Sequence, residues 1–454
     1  CYCLTEPDAG SDANSGKTKA VLSEDGSHYK ITGQKMWISN AGFADLFIVF
    51  AKIEDDKNLT AFIVEKSFNG ITMNDEEKKL GIKGSSTRQV FFNDTEVPVG
   101  NMLSERQNGF KIAVNILNIG RIKLGAGVLG GCRTVINHAV QYANERKQFD
   151  VSISSFGAIK HKLAEMATRV YVTESLDYRA GQNIEDKIDD LIASGMDDAK
   201  AKLKGVEQFA IECAIGKIHS SEVLDYVVDQ GVQVYGGMGY SADAPMERAY
   251  RDARIARIYE GTNEINRMLM IGMILKRAMK GELDMFEPAM AVSKELVSVP
   301  TFSTIDKSVL FNAEKEVVKN LKKVFLMVGG KAAMALQDRI EDEQEVMMNL
   351  ADILIEVYAV ESAMLRTEKL ISMRGEEACS DYIAMTQIYM AQAVDRVTAA
   401  AKEAIASFTK GDEQKVMLMG LKRFTKMDLV NTKELRRQVA DTMIKEGKFP
   451  YFFG

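Results

Sequence analysis

Ile258-Tyr259-Glu260-Gly261-Thr262-Asn263-Glu264-Ile265-Asn266-Arg267 sets one carboxylate beside a glycine, with a hydroxyl and an amide directly after it. A carboxylate in that position suits a general base whose ligand approaches the backbone closely, because glycine carries no Cβ. The same Glu-Gly pair also ends many helices, so its meaning depends on what surrounds it. Upstream, from Phe110 onward, Leu, Ala, Lys and Glu dominate and proline nearly vanishes up to Pro245. That composition predicts long helices. Within Ile159–Ser175 the residues Leu163, Met166, Val170 and Thr173 fall on one helical face. Residues 181–204, from Gly181 to Lys204, are polar and Asp-rich and read as an insertion between two helices. Gly125-Ala126-Gly127-Val128-Leu129-Gly130 matches the dinucleotide pattern G-x-G-x-x-G letter for letter. It lies inside a helix-like stretch instead of between a strand and a helix, so close helix packing is the better reading.

Further toward the start, residues 1–100 read as β-rich. Candidate strands are Lys17–Val21, His28–Thr32, Leu46–Ala51, Thr60–Val64 and Arg88–Phe92, with turns at Asp25-Gly26 and Asn40–Gly42, and Pro98-Val99-Gly100 closes the region. An antiparallel barrel or sandwich is the natural class. On the C-terminal side, Pro288 and Pro300 bracket a linker. Beyond it Ile353, Val357, Val360 and Met364 recur at helical spacing and predict a buried stripe. The expected architecture is therefore α+β and multidomain: a β domain at 1–100, a helical bundle at 101–285 and an additional helical domain at 300–454. The 25 methionines are read as adaptable core packing.

Bulk properties narrow the function. A net charge of −6 gives no general case for nucleic-acid binding. The five cysteines are scattered, and Cys1 and Cys3 stand too close for metal-type spacing. The four histidines form no ligand pair at helical spacing, so no metal is expected. No uninterrupted apolar run of membrane-spanning length stands out, and a reducing intracellular compartment fits.

Four blocks precede the Glu260 stretch in order: Tyr2-Cys3-Leu4-Thr5-Glu6-Pro7-Asp8-Ala9-Gly10-Ser11-Asp12, Gly33-Gln34-Lys35-Met36-Trp37-Ile38-Ser39-Asn40, Glu145-Arg146-Lys147-Gln148-Phe149, and Gln233-Val234-Tyr235-Gly236-Gly237-Met238-Gly239-Tyr240. Together with Tyr259-Glu260 the set resembles the flavin-dependent acyl-CoA dehydrogenases over roughly residues 1–280. The resemblance implies FAD as cofactor and Glu260 as the base that takes the α proton of an acyl-CoA. Some relatives carry the base immediately before an arginine that matches Arg121, but here that position is Gly120. The resemblance further assigns Tyr2, Cys3, Leu4, Thr5 and Ser11 to a segment lying against the flavin, and Trp37, Ile38 and Ser39 to a strand covering its outer face. Arg146 and Phe149 are assigned to the FAD pyrophosphate, Gln233, Gly236 and Gly237 to the adenosine side, and Thr262, Asn263 and Glu264 to another FAD-contacting turn. Ser11, Asn118, Arg121 and Gly261 are the implied acyl-CoA contacts.

Two departures stand out: Asp150 replaces a glycine found after the phenylalanine in many relatives, and Gly157 replaces a glutamine of the medium-chain members. Phe156-Gly157-Ala158-Ile159 and the long tail look more like the very-long-chain branch. That branch implies long acyl chains, a homodimer, peripheral membrane contact and electron-transferring flavoprotein as acceptor. The compartment would be the cytoplasm in a bacterium or the mitochondrial matrix in a eukaryote. The chain opens with Cys1, directly in a motif, and is read as a fragment lacking the family's N-terminal helical domain and any targeting segment. An acyl-CoA oxidase and a non-catalytic assembly protein on the same scaffold are the alternative readings.

Overall fold

The computed structural model describes residues 1–298, 306 and 308–451. It divides into two compact units, Cys1–Gly120 and Arg121–Gly454.

The first unit is built on one eight-stranded sheet. Its strands are β1 (Tyr2–Cys3), β2 (Lys19–Leu22), β3 (His28–Ser39), β4 (Leu46–Ile53), β5 (Thr60–Glu65), β6 (Ile71–Met73), β7 (Thr87–Pro98) and β8 (Met102–Leu103). Their order is β6-β7-β3-β2-β4-β5-β8, with β1 paired to β4. All five expected strands are present. β3 and β7 run further than alternation alone marks, and they pair from His28↔Pro98 to Ser39↔Thr87. Their register shifts between Lys35 and Ile38, an irregularity at which Trp37 takes a left-handed φ of 58°. The sheet is antiparallel except where β4 meets β1 and β2, both parallel. β4 is covered on both faces. Phe47, Val49, Ala51 and Ile53 enter one core with Ile31, Phe62, Val90 and Phe92, while Phe50 points the other way into a core with Leu4, Leu59, Ala61 and Ala113. Period-two alternation puts the odd and even positions on opposite faces, and burial on both faces explains the near-continuous apolar run Leu46–Ala51.

The second unit is helical. The chain continues as α1 (Gly109–Glu145), within which the division between the units falls, then α2 (Gly157–Ala193), α3 (Asp198–Gln208), α4 (Ala210–Tyr235), α5 (Gly237–Tyr240), α6 (Pro245–Ala253), α7 (Asn263–Met279) and α8 (Phe286–Val297). A second run follows: α9 (Asn312–Leu336), α10 (Gln344–Arg374), α11 (Ser380–Phe408), α12 (Gly411–Phe424) and α13 (Thr432–Glu446). One continuous core joins both runs, so residues 121–285 and 312–451 are packed as one body. The predicted faces are buried, both Leu163, Met166, Val170 and Thr173 on α2 and Ile353, Val357, Val360 and Met364 on α10.

Three expectations change in detail. The polar stretch from Gly181 is itself helical: α2 runs on to Ala193 and α3 begins at Asp198, because Ile184 and Ile188 pack with Ala201 and Cys213. Pro288 starts no linker. It sits in the first turn of α8, where its missing N–H would have no intrahelical partner. Pro300 lies outside the described residues. Among the described residues α1 is the one helix long and apolar enough to cross a membrane, yet its Leu129, Val135, Ile136, Ala139, Val140 and Ala143 belong to the protein core. The glycines at 125–130 lie within this helix. A side chain at Gly125 would strike the Asp177 carboxylate, whereas Gly127 and Gly130 meet nothing within 4 Å.

His219 of α4 is buried against α2 and α11. Its Nδ1 lies 3.0 Å from Thr173 Oγ1 and its Nε2 lies 2.8 Å from Tyr389 Oη. Burial, more than the neighbouring Glu356, Glu222, Arg396 and Arg169, fixes its proton affinity and pushes its pKa down to about 4. The ring is neutral in the folded protein, so the unfolded chain takes up a proton first as pH falls. Stability present above about 6.5 is lost toward pH 4, on the order of 3 kcal/mol in all. A His219→Gln variant should show a flatter dependence of thermal midpoint on pH between those limits. An unchanged slope would refute the assignment.

Candidate active site

The Glu260 stretch joins a 3-10 turn, Arg254–Arg257, to α7. Thr262 caps α7, its Oγ1 accepting from Ile265 N at 3.2 Å, and Glu264 adds an acid to the first turn, where the helix dipole favours it. Glu260 and Gly261 have φ of 59° and 82°. Left-handed backbone is open to glycine but costs a glutamate about 1–2 kcal/mol. Such strain persists only where the surroundings over-determine it, and here they do. Arg121 Nε donates to the Glu260 carbonyl at 3.2 Å. Lys217 Nζ donates to the Gly261 carbonyl at 2.8 Å and to Asn263 Oδ1 at 2.7 Å. Asn266 Nδ2 donates to the carbonyls of Gly261 and Thr262 at 2.8 and 3.0 Å.

These anchors are buried polar groups: Arg121 is 4% exposed, and Lys217 and Asn266 are fully enclosed. Burial raises the Glu260 pKa above the ordinary carboxylate range, against the opposing charges of Arg121 and Lys217. Burial likewise pushes Lys217 down to about 8, with the Arg121 charge acting in the same direction. The loop thus holds a partly desolvated carboxylate, a cation on each of two successive backbone carbonyls and a fixed chain path. Chemically it is equipped to accept a proton from a neutral carbon acid and hold it.

Arg121 and Asn118, the implied acyl-CoA contacts, are both buried, at 4% and 2% exposure, and Arg121 donates to the Glu260 carbonyl. Lys217 and Asn266 were not anticipated. The one signal for Lys217 was a lone charge inside the apolar run Ala214-Ile215-Gly216-Lys217-Ile218.

A second group of residues stands at the far ends of α1 and α4. Tyr142 and Tyr235 stack with ring centroids 4.0 Å apart, which brings these ends side by side. Arg146 follows Tyr142 by one turn, is exposed, and its guanidinium has no carboxylate partner among the described residues. Gly236 has φ 60° and ψ −137°, a conformation closed to residues with a side chain, and neither Gly236 nor Gly237 is obstructed within 4 Å. Gln233 is exposed beside them. Phe149 and Asp150 both adopt left-handed φ in the two-residue turn between short strands 147–148 and 151–152. That turn suits a tight hairpin, and aspartate tolerates it, which accounts for Asp150 in place of glycine.

In the first unit, Trp37 is 54% exposed at its irregular, left-handed position while Ile38 points into the core and Ser39 points out. Met36 N donates to the Thr5 carbonyl at 2.9 Å, tying the opening segment to this strand. Cys3 and Leu4 are core side chains, and burial pushes the Cys3 thiol up to about 12. Cys3, Leu4 and Ile38 therefore have only backbone to offer a ligand, because their side chains fill the core. Ser11 is exposed. Beneath this segment Lys35, wholly buried, donates to Glu6 Oε1 at 2.6 Å, Phe50 O at 2.7 Å and Leu4 O at 3.2 Å.

An exposed indole at the irregularity of β3 fits an aromatic ring system. An unpaired arginine near unobstructed glycines fits a pyrophosphate, which binds arginine in a fork and needs close backbone approach. Taken separately, the first group suits the ring system and the second the pyrophosphate of a dinucleotide-type flavin.

Comparison with known proteins agrees. Residues 1–95 match the model of the acyl-CoA dehydrogenase middle domain. Residues 107–275 and 320–423 match two models, each described as an acyl-CoA dehydrogenase C-terminal domain. A probable acyl-CoA dehydrogenase of Bacillus subtilis (strain 168) is 44% identical over 448 residues, 99% of this chain and 75% of that protein. The very long-chain specific mitochondrial acyl-CoA dehydrogenase of Rattus norvegicus is 44% identical over 277 residues, 59% of this chain but only 40% of its own length. Among solved structures, an acyl-CoA dehydrogenase from Bacillus anthracis complexed with FAD superposes with a TM-score of 0.95 at 42% identity, covering 99% of this chain and 76% of that one.

Proposed function

We propose, from the premise that the chain belongs to the acyl-CoA dehydrogenase family of FAD-dependent oxidoreductases acting on CH–CH bonds, that it oxidises long-chain acyl-CoA to the trans-2-enoyl-CoA. Glu260 takes the α proton. The observation that carries this reading is its carboxylate: raised in pKa by burial and held on a strained loop by Arg121, Lys217 and Asn266. Bound FAD would supply the acceptor for the β hydride, since no side chain accepts one.

The residues have distinct tasks. Glu260 must be ionised to act, and its raised pKa keeps it a stronger base than an exposed glutamate. The loop donors engage the backbone carbonyls, so they fix the direction of the carboxylate and leave it free to take a proton. Trp37, Ser39 and the Thr5 segment would hold the isoalloxazine, and Arg146 with Gly236 and Gly237 the pyrophosphate and adenosine. Exposed Phe149, Met238 and Tyr240 support a homodimer, and five free cysteines accord with a reducing compartment. Electrons would leave to an electron-transferring flavoprotein.

The test is anaerobic titration of the FAD-loaded protein with acyl-CoAs from butyryl to stearoyl. Flavin absorbance should bleach, most readily with the long chains. No bleaching at any length would overturn the reading, and peroxide formed in air without another acceptor would point instead to an oxidase.

A further inference from the structure

The Glu260 loop is connected to the second run of helices by a continuous series of polar contacts. Lys217 bridges the Gly261 carbonyl and Asn263 Oδ1. Asn263 Nδ2 donates to Glu222 Oε1 at 3.1 Å. The same carboxylate accepts from Arg267 Nη1 at 2.9 Å, and Arg267 Nε donates to Asp352 Oδ1 at 2.7 Å. Lys217 and Glu222 belong to α4, Asn263 and Arg267 to α7, and Asp352 to α10. The inner members, Lys217, Asn263 and Arg267, are buried, while the two carboxylates stand 42% exposed on the wall of a cleft of about 420 Å³. His219, Glu356, Tyr389 and Arg396 line the same cleft, and His219 pins α4 to α11 through Tyr389.

We propose that Asp352 is a positioning residue for the Glu260 loop, acting through Arg267, Glu222, Asn263 and Lys217; this rests on Glu260 being the base. Two carboxylates share one guanidinium. Without Asp352, Arg267 keeps only Glu222, to which it already donates through Nη1 and Nη2, and its tighter hold on Glu222 Oε1 weakens the bond from Asn263. Asn263 Nδ2 is then left with Ser221 Oγ, 3.0 Å away, as its remaining fixed acceptor, and the amide, held on one side only, fixes its Oδ1 less firmly on Lys217 against the Gly261 carbonyl. Coupling of this kind follows shared partners within one hydrogen-bonded network. It gives the second helical run a part in the chemistry through Asp352.

Amide hydrogen exchange on the full chain tests this independently of turnover. The amides of Ile258, Tyr259, Ile265 and Asn266 are hydrogen-bonded in the folded loop. Asp352→Asn should speed exchange across 258–266 about tenfold relative to the α2 core around Leu163–Thr173, and Asp352→Glu should restore it. In a Glu222→Gln background the Asp352→Asn change should add little. Faster exchange confined to 349–356, or equal acceleration in α2, would overturn the proposal. In the same samples flavin reduction by acyl-CoA should slow while FAD content holds. An unmodified protein that fails to bleach would count against the dehydrogenase reading alone, since the exchange coupling would still be read.

Discussion

Glu260→Gln should slow flavin reduction by acyl-CoA by about 10⁴-fold, the upper end of what a positioned general base contributes, while FAD remains bound. The amide is nearly isosteric, so the left-handed backbone at 260 and the donors on its carbonyl have no reason to move. What disappears is the carboxylate proposed to take the α proton. The pH dependence has a defined sign. The active form is the carboxylate, and burial raises its pKa above the ordinary range. The unmodified protein should therefore lose reduction rate as pH falls through that raised value, and the glutamine variant should show no such limb. Stopped-flow reduction under anaerobic conditions measures both. Retention of more than about a tenth of the rate would mean that another group takes the proton, and Glu260 would be left as a loop residue alone.

Much of this arrangement was legible in the residues. Alternation located the strands, and three-four spacing located the buried faces of α2 and α10. The Tyr259-Glu260-Gly261-Thr262 string marked the loop. What escaped was decided by tertiary contact. Lys217 lies 44 positions from Gly261 and reaches it because α4 and α7 pack together. The left-handed φ at Trp37 and at Glu260 runs against the preference of both residue types and has no local signature. Cys3, Leu4 and Ile38 sit in well-marked motifs, yet Cys3 and Ile38 fill one core and Leu4 another, because the opening segment is covered on both sides, while Trp37 and Ser39 stay exposed. Parity also held the clue to Lys35, which shares a strand face with buried Ile31, where a cation needs a partner.

Lys35→Met should cost the β unit about 3–5 kcal/mol, the range for removing one partner of a buried ion pair. Glu6 is 5% exposed, and its carboxylate also accepts from Lys17 N at 2.5 Å and Thr18 N at 3.2 Å. Removing the ammonium leaves that charge enclosed with backbone donors alone, and it frees the carbonyls of Leu4 and Phe50 inside the sheet. The two partners shift in informative directions. Burial is the largest influence on Glu6 and would raise its pKa, but Lys35 and the hydrogen bonds outweigh it and hold the carboxyl low. For Lys35, burial wins over Glu6 and lowers the pKa. A carboxylate held low stabilises the fold above its unfolded pKa, and that stability is lost as pH falls through the folded value. The variant should lack this acid-side loss.

The protein has a single tryptophan, Trp37, and it lies in the affected unit. Denaturant unfolding followed by its fluorescence therefore reports this unit without contribution from the helical one. Adding Glu6→Gln to Lys35→Met should recover part of the loss, because a neutral amide is cheaper to enclose than an unpaired carboxylate. Because Met36 N holds the Thr5 carbonyl next to this pair, FAD retention should fall with the single change and rise again with the double. A loss below about 1 kcal/mol, within the range of exposed pairs, would show that water reaches Glu6 and that the pair is not the anchor of the opening segment.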